Sequence, residues 1–183
     1  PGTATDRMVS FVDFAPTVLS LAGVKSPAYF HGRAFAGTDR QPAPAYTYNF
    51  RDRMDEVYDL CRAVTDGRWR YIRNYRPDLP TLQHVTYLWN MSSMREWERL
   101  HRAGQLNAVQ ESFFQPKAAE ELFDVIADPD NVHNLATDPA HRETLQRFRA
   151  ANRAHLLATR DTGLMPEAMM RELSGARSPL EIA

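Results

Sequence analysis

The dipeptide Asp66-Gly67 stands between two runs rich in β-branched and aromatic residues, CRAVT (61–65) and RWRYIRN (68–74). An Asp-Gly pair in that setting signals a tight hairpin, because its two central residues must take positive φ. Centred on that pair, the turn predicts a register with Val64 opposite Trp69 and Arg62 opposite Tyr71. These four share one face of the ribbon, while Cys61, Ala63, Arg70 and Ile72 share the other, since strand side chains alternate. Each face carries an arginine beside apolar groups, so neither reads as cleanly buried.

Other segments extend this sheet. AYTYNF (45–50) reads as a strand by its Tyr, Thr and Phe content, and a second short strand is predicted from Glu121 to Ile126. The stretch 51–62 carries seven charged residues among twelve. Its Met54, Val57, Tyr58 and Cys61 fit helical spacing, but it runs straight into the hairpin, so the expectation is a charged loop entering a strand. Helices flank the sheet. From Ser10 to Ala22, Ser10 can cap, Val18, Leu19, Leu21 and Ala22 form an apolar face, and Gly23 stops the helix. Pro27, Pro42 and Pro44 mark a long surface connection. Residues 82–103 read as a helix with a Met94, Trp97, Leu100 stripe, a Glu98–Arg102 pair and Gly104 as the stop. Asp138-Pro139 offers a cap followed by proline at the first helical position. The helix that follows, to about Ala158, packs through Leu145, Phe148, Asn152 and Leu156. A short helix around Pro166–Leu173 and a loose end complete the chain. The predicted class is α+β, a small antiparallel sheet with helices on one face.

Composition narrows the function. Lys plus Arg is 22 and Asp plus Glu is 23, for a net charge of −1. Such a balance gives no global pull toward nucleic acid or an anionic membrane. The longest uncharged run, Phe14 to Val24, is too short to span a bilayer. The start, Pro1-Gly2-Thr3, lacks both an initiator Met and the basic and apolar regions of a secretory signal, so a processed or truncated piece is expected. The single cysteine, Cys61, excludes a disulfide framework and a cysteine-based zinc site, and leaves the compartment unassigned.

No complete active site is legible. His31, His84, His101, His133, His141 and His155 lack metal-ligand spacing. Cys61 reads as structural, because the adjacent Arg62 points to the opposite face of the strand. Arg68, Arg70, Arg73 and Arg76, interleaved with Trp69, Tyr71 and Tyr75, have the residue types of a nucleic-acid surface, but alternation splits them between two faces. The densest charge cluster, at positions 51–56, yields Arg51, Asp52, Arg53 and Asp55 as candidate substrate-binding residues, since paired guanidiniums beside carboxylates can clamp an anionic or hydroxyl-rich ligand. There is no glycine-rich phosphate loop and no Gly-x-Ser-x-Gly elbow. No catalytic residue and no metal ligand is assigned.

Four segments, in order, resemble the C-terminal part of sulfatases of the alkaline-phosphatase-like superfamily. Val9-Ser10-Phe11-Val12-Asp13-Phe14-Ala15-Pro16-Thr17 and the following Val18 to Gly23 are similar to the family's V-S-x-x-D-L-x-P-T-x-L-x-L-A-G helix. His31-Gly32-Arg33-Ala34 resembles its G-R-S. The run from Arg62 to Asn74 resembles its R-x-V-x-D-x-x-x-K-Y-I-x-N hairpin. Glu120-Glu121-Leu122-Phe123-Asp124, with Asp128-Pro129 and Asn134-Leu135-Ala136, resembles E-E-L-Y-D-L…D-P-x-E-x-x-N-L-A. The departures include Ala34 for Ser, Phe123 for Tyr, Asn131 for Glu and Arg70 for Lys.

The resemblance implies that residues 1–44 are the tail of a catalytic domain and its connection, and that residues 45–183 are the C-terminal α+β subdomain. It implies a parent enzyme that hydrolyses a sulfuric ester on a sulfated sugar, using formylglycine and a calcium or magnesium ion. The family's nucleophile arises from a Cys- or Ser-x-Pro-x-Arg motif. Cys61 is followed by Arg62-Ala63-Val64 and is not that residue. The expectation is therefore a chain with no cofactor of its own and no activity alone. Its partners would be the missing N-terminal catalytic domain and, through the parent, a sulfated carbohydrate. The family also implies an exported parent, periplasmic or secreted. A stand-alone binding module with this fold is the alternative reading. Apolar surface on the Pro16–Ala22 helix suggests self-association if the large domain is absent.

Overall fold

Four strands, β1 (Thr47–Met54), β2 (Val57–Thr65), β3 (Trp69–Asn74) and β4 (Glu120–Asp124), form an antiparallel sheet in sequential order. The structure is a computed structural model that describes residue 2, residues 4–178 and residue 181. One row of mutual partners crosses all four strands: Tyr48, Val64, Tyr71 and Leu122. Helix α5 (Arg142–Thr159) lies over that row, and its Leu145 and Phe148 close a buried core with Val64, Tyr71 and Leu122. Each such side chain contributes about 1.5–3 kcal/mol by leaving water. The predicted helix face is the one used, for Leu145, Phe148 and Asn152 are all buried. Its start is also as expected: Asp138 Oδ1 accepts the Ala140 N–H at 2.8 Å, and Pro139 opens the short 3₁₀ turn that leads into α5. The α+β class predicted for the chain is the observed one.

The hairpin forms, but its register lies two residues away from the predicted one. Val64 pairs with Tyr71 and Arg62 with Arg73. The turn is centred on Gly67-Arg68 and is closed by the Asp66 N–H donating to the Trp69 carbonyl at 3.2 Å. Gly67 takes the required positive φ of +94°. Asp66 instead precedes the turn, where its Oδ1 accepts the N–H groups of Arg68 and Trp69 at 3.1 and 2.8 Å. A slip of two residues preserves side-chain alternation, so the predicted faces survive and only the partners change. The two faces are not equivalent: Leu60, Arg62 and Val64 are buried.

Residues 51–62 are not a charged loop. β1 runs on to Met54, Asp55 turns the chain with φ +51°, and β2 begins at Val57. A bulge interrupts the pairing: Arg51 faces Cys61 but Arg53 faces Tyr58, so Asp52 lies opposite both Asp59 and Leu60. β1 is an edge strand, where charged side chains are favoured because they discourage further pairing.

The helix predicted over 82–103 is divided. α2 (Thr86–Trp89) ends before Met91, which is extended, and α3 spans Ser92–Arg102. The break is stabilised by Arg95, whose guanidinium donates to the Trp89 and Asn90 carbonyls, and by the Trp89 indole donating to Glu98 at 2.8 Å. The Glu98–Arg102 pair forms at 2.6 Å, and Gly104 follows α3 with φ +64°. Trp97 packs edge-on against Phe113 and Phe114, in the 3₁₀ turn after α4 (Ala108–Glu111), so this stripe serves a satellite cluster. α6 spans Glu167–Ser174. Residues 179, 180, 182 and 183 of the predicted loose end lie outside the described residues. No helix among the described residues is long and apolar enough to cross a membrane.

Helix α1 (Phe14–Leu21) buries its polar side and leaves its apolar side exposed. Its buried residues are Pro16, Thr17 and Ser20, joined by Asp13 just before it. Asp13 accepts the Ser10 and Arg33 N–H groups at 2.9 and 2.8 Å. Thr17 Oγ1 accepts the Phe35 N–H and Ser20 Oγ accepts the Asp39 N–H. The polar side is thus stitched to residues 33–39, while Phe11, Val18 and Leu21 are 88%, 64% and 66% exposed. Gly32 permits this stitching, because a Cβ there would lie 1.8 Å from the Val12 carbonyl oxygen. Gly32→Ala should therefore cost about 1–3 kcal/mol, as overpacking does. A thermal melt should show a Tm lowered by several degrees; an unchanged Tm would remove the close approach.

Candidate functional site

The four candidate binding residues occupy the β1–β2 hairpin but do not converge. Arg51 reaches toward Asp59 at 3.9 Å, and its Nε is buried without a hydrogen-bond partner. Asp52 points to the other face and is engaged by Arg62. Arg53 pairs with Glu167 of α6 at 3.2 Å, with both side chains half exposed or more. Asp55 is exposed in the turn. Arg53 and Asp55 therefore remain accessible at this end of the sheet, and Asp52 is committed to the fold.

The strongest electrostatic feature is Arg62. Its side chain is only 5% exposed and lies between two carboxylates. Nε and Nη2 donate to Asp161 at 2.6 and 3.1 Å, while Nη1 and Nη2 donate to Asp52 at 2.6 and 3.3 Å. Nη1 also donates to the Cys61 carbonyl at 2.9 Å. All five guanidinium donors are thus engaged, which a buried arginine requires. Burial opposes the charge of Arg62, but its hydrogen bonds to Asp161 and Asp52 outweigh it and raise its pKa above the ordinary value. The same hydrogen bond holds the Asp161 carboxyl below the usual range against the opposing effect of burial. Gly163 seals the site: its N–H donates to Asp161 at 2.9 Å, and a Cβ there would lie 2.5 Å from Arg62 Nη2. Sequence reasoning missed Asp161 and Gly163, although Asp-x-Gly is a turn signature.

On the other face Lys117 donates to Asp59 at 2.6 Å, with side chains 7% and 3% exposed. No local signal marks Lys117 in the sequence. Burial pushes the neighbouring Cys61 thiol up, and Asp59 adds to it, so this cysteine is not an activated thiolate. Burial likewise raises the Glu121 carboxyl, although Asn74 donates to it at 3.1 Å. Two of the histidines stack on aromatic rings, His155 on Tyr48 at 3.6 Å and His101 on Phe114 at 4.0 Å. In the arginine-rich hairpin, Arg68 pairs with Asp124 and Arg76 with Asp78, while Arg73 approaches Glu120 at 3.8 Å. Carboxylates thus answer three of its four positive charges. Among the described residues no group of three His, Cys, Asp or Glu side chains could hold a metal ion.

No family model matches the chain. Two relatives from Formosa agariphila, both named ulvan-active sulfatase, are 38% identical over 167 residues and 27% identical over 156 residues. These alignments take in 91% and 81% of this chain but only 28% of each relative. This chain matches the C-terminal part of sulfatases. Solved structures agree on the fold. A 2-O GAG sulfatase superposes with a TM-score of 0.59 at 22% identity, over 87% of this chain and 27% of that one. A protein solved with its substrate D-glucosamine-2-N,6-O-disulfate gives a TM-score of 0.53 at 13% identity, over 84% and 25% respectively.

Arg62 and Asp161 join elements about a hundred residues apart in the chain. Asp161→Ala leaves a buried guanidinium half paired and should cost about 3 kcal/mol or more. Urea titration should show the loss, and an unchanged midpoint would refute it. The sign of the pH dependence follows from the lowered carboxyl. The stability that Asp161 contributes is complete above the ordinary aspartate pKa of about 4 and is lost as pH falls through the depressed folded value. Asp161→Asn should flatten the acid limb of a stability–pH curve.

Proposed function

We propose that this chain is the C-terminal part of a sulfatase, a hydrolase that cleaves a sulfuric ester on a sulfated sugar. The observation that carries the reading is the alignment itself, 38% identity over 91% of this chain and only 28% of an ulvan-active sulfatase. The nucleophile and its ion then belong to the part of the longer protein that this chain does not span. Residues 1–44 continue the catalytic domain, and residues 45–183 form the smaller subdomain beside it. Support for that division comes from α1, which is locked to residues 33–39 by its polar side and turns Val18 and Leu21 outward, beside the exposed Phe11 of the turn before it. The missing domain covers that apolar face.

The chain's own contribution is a wall of the substrate cleft. Arg53 and Asp55 carry it, because both are exposed at the hairpin end. Arg51 and Asp52 hold the ribbon that presents them, through Asp59 and Arg62. Sulfate release from a sulfated saccharide tests both parts of the reading. The 183 residues alone should release none, whereas turnover with a bound divalent ion would overturn it. In the longer protein Arg53→Ala should lower kcat/KM at least about tenfold, the worth of a charge-assisted hydrogen bond to substrate. An unchanged kcat/KM removes Arg53 from the cleft.

A further inference from the structure

Charge is distributed unevenly around α5. Arg142, Arg149 and Arg153 lie along one side of it, and Arg160 is its left-handed C-cap residue. Successive members are seven, four and seven positions apart. At the helical repeat those intervals return to the same side, so the row runs for about 27 Å in steps of about 10, 6 and 10 Å. It lies a quarter turn from the buried face of Leu145, Phe148 and Asn152, on the side that overhangs β3 and β4. All four arginines are exposed. Arg149 holds Glu120 through both carboxylate oxygens, whereas Arg142, Arg153 and Arg160 have no ion pair among the described residues. Glu143, the one acidic residue of α5, lies about a quarter turn from the row. The row therefore carries three unanswered positive charges on a chain whose net charge is −1. Elsewhere on the surface Arg68, Arg76, Arg99 and Arg102 each sit against a carboxylate.

A recess beside the middle of the row narrows the kind of partner. It has a volume of about 350 Å³, and Leu156, Leu157, Leu164 and Tyr75 line it together with Arg149 and Arg153. Leu157 is 66% exposed at its edge. A polyanion that brings charge alone, such as a nucleic-acid backbone or a sulfated polymer, leaves these leucines in water. A helix with leucines on one side and glutamates beside them satisfies both features. It also shares the repeat of α5, so glutamates at the same spacing stay opposite the arginines over the whole length. The spacing reads the same from either end and accepts a helix in either direction.

We propose that α5 docks an acidic amphipathic helix of a partner protein. The glutamates of that helix lie along Arg142, Arg149, Arg153 and Arg160, and one of its leucines enters the recess at Leu157 and Leu164. The inference goes beyond the sulfatase reading and does not rest on it, because it concerns association and no hydrolysis.

Fluorescence anisotropy with this chain and labelled probes tests it. The first probe is a helical peptide of leucine, alanine and glutamate, with its glutamates at the spacing of the four arginines. Two control peptides replace its glutamates by glutamine or its leucines by serine, and duplex DNA and dextran sulfate complete the set. At physiological salt the acidic amphipathic peptide should bind about tenfold or more tightly than every other probe. The combined variant Arg142→Gln, Arg153→Gln, Arg160→Gln breaks no ion pair, should leave the melt unchanged, and should weaken that binding about tenfold. Leu157→Ser should weaken it as well, in a chain whose fold circular dichroism verifies. The proposal is overturned if the acidic peptide does not bind, if either variant binds it as the wild type does, or if a control peptide, DNA or dextran sulfate binds as tightly.

Discussion

A charge that cannot leave the interior organises this domain. Arg62 projects from the middle strand pair toward α5, in the row next to the one that forms the apolar core. A lone guanidinium there would be prohibitively costly, and two carboxylates with one carbonyl make it tolerable. One carboxylate, Asp52, comes from β1 and the other, Asp161, from the turn after α5. The edge strand and the end of the long helix are therefore held to the same atom group. This places both α6 and the hairpin tip, since Arg53 then meets Glu167. The neighbouring apolar row supplies most of the burial, but it is not directional. Arg62 decides which position of the helix end is accepted.

The N-terminal helix follows the opposite rule. Its interior contacts are hydroxyls and a carboxylate bonded to loop amides, and its apolar residues face outward. Here hydrogen bonds to residues 33–39 fix a helix–loop unit whose apolar side is ready for another surface. Gly32 and Gly37 are part of that arrangement, because a side chain at either would strike backbone of the α1 region. The His31-Gly32-Arg33 segment thus has a physical reason: the glycine allows contact and the arginine amide bonds to Asp13.

Much of the fold was legible. Alternation in 61–74 marked the hairpin, Asp138-Pro139 marked the start of α5, and Leu145, Phe148 and Asn152 marked its inner face. These signals are local, set by turn chemistry and by the helical repeat. The register is not legible locally because Asp66 is not a turn centre; its carboxylate captures two turn amides from the position before. The stretch 51–62 does not read as strand because a bulged edge strand with seven charges has no clean period of two. Of the candidate site, the sequence placed Arg51, Asp52, Arg53 and Asp55 in one cluster. Strand alternation then separates Asp52 from its neighbours, and Arg62 claims it.

The class, the hairpin and the helix that covers it follow from the order of residues alone, because each rests on spacing within a short window, while the resemblance to a sulfatase C-terminal part rests on four motifs in order along the chain. The partners of the buried charges are settled only when the chain folds. Arg62 and Asp161 are distant in the chain, as are Asp59 and Lys117, and no local propensity couples them. Their pairing follows from the cost of leaving a charge unanswered in a medium that screens it poorly, and that cost exists only once the chain has closed around it.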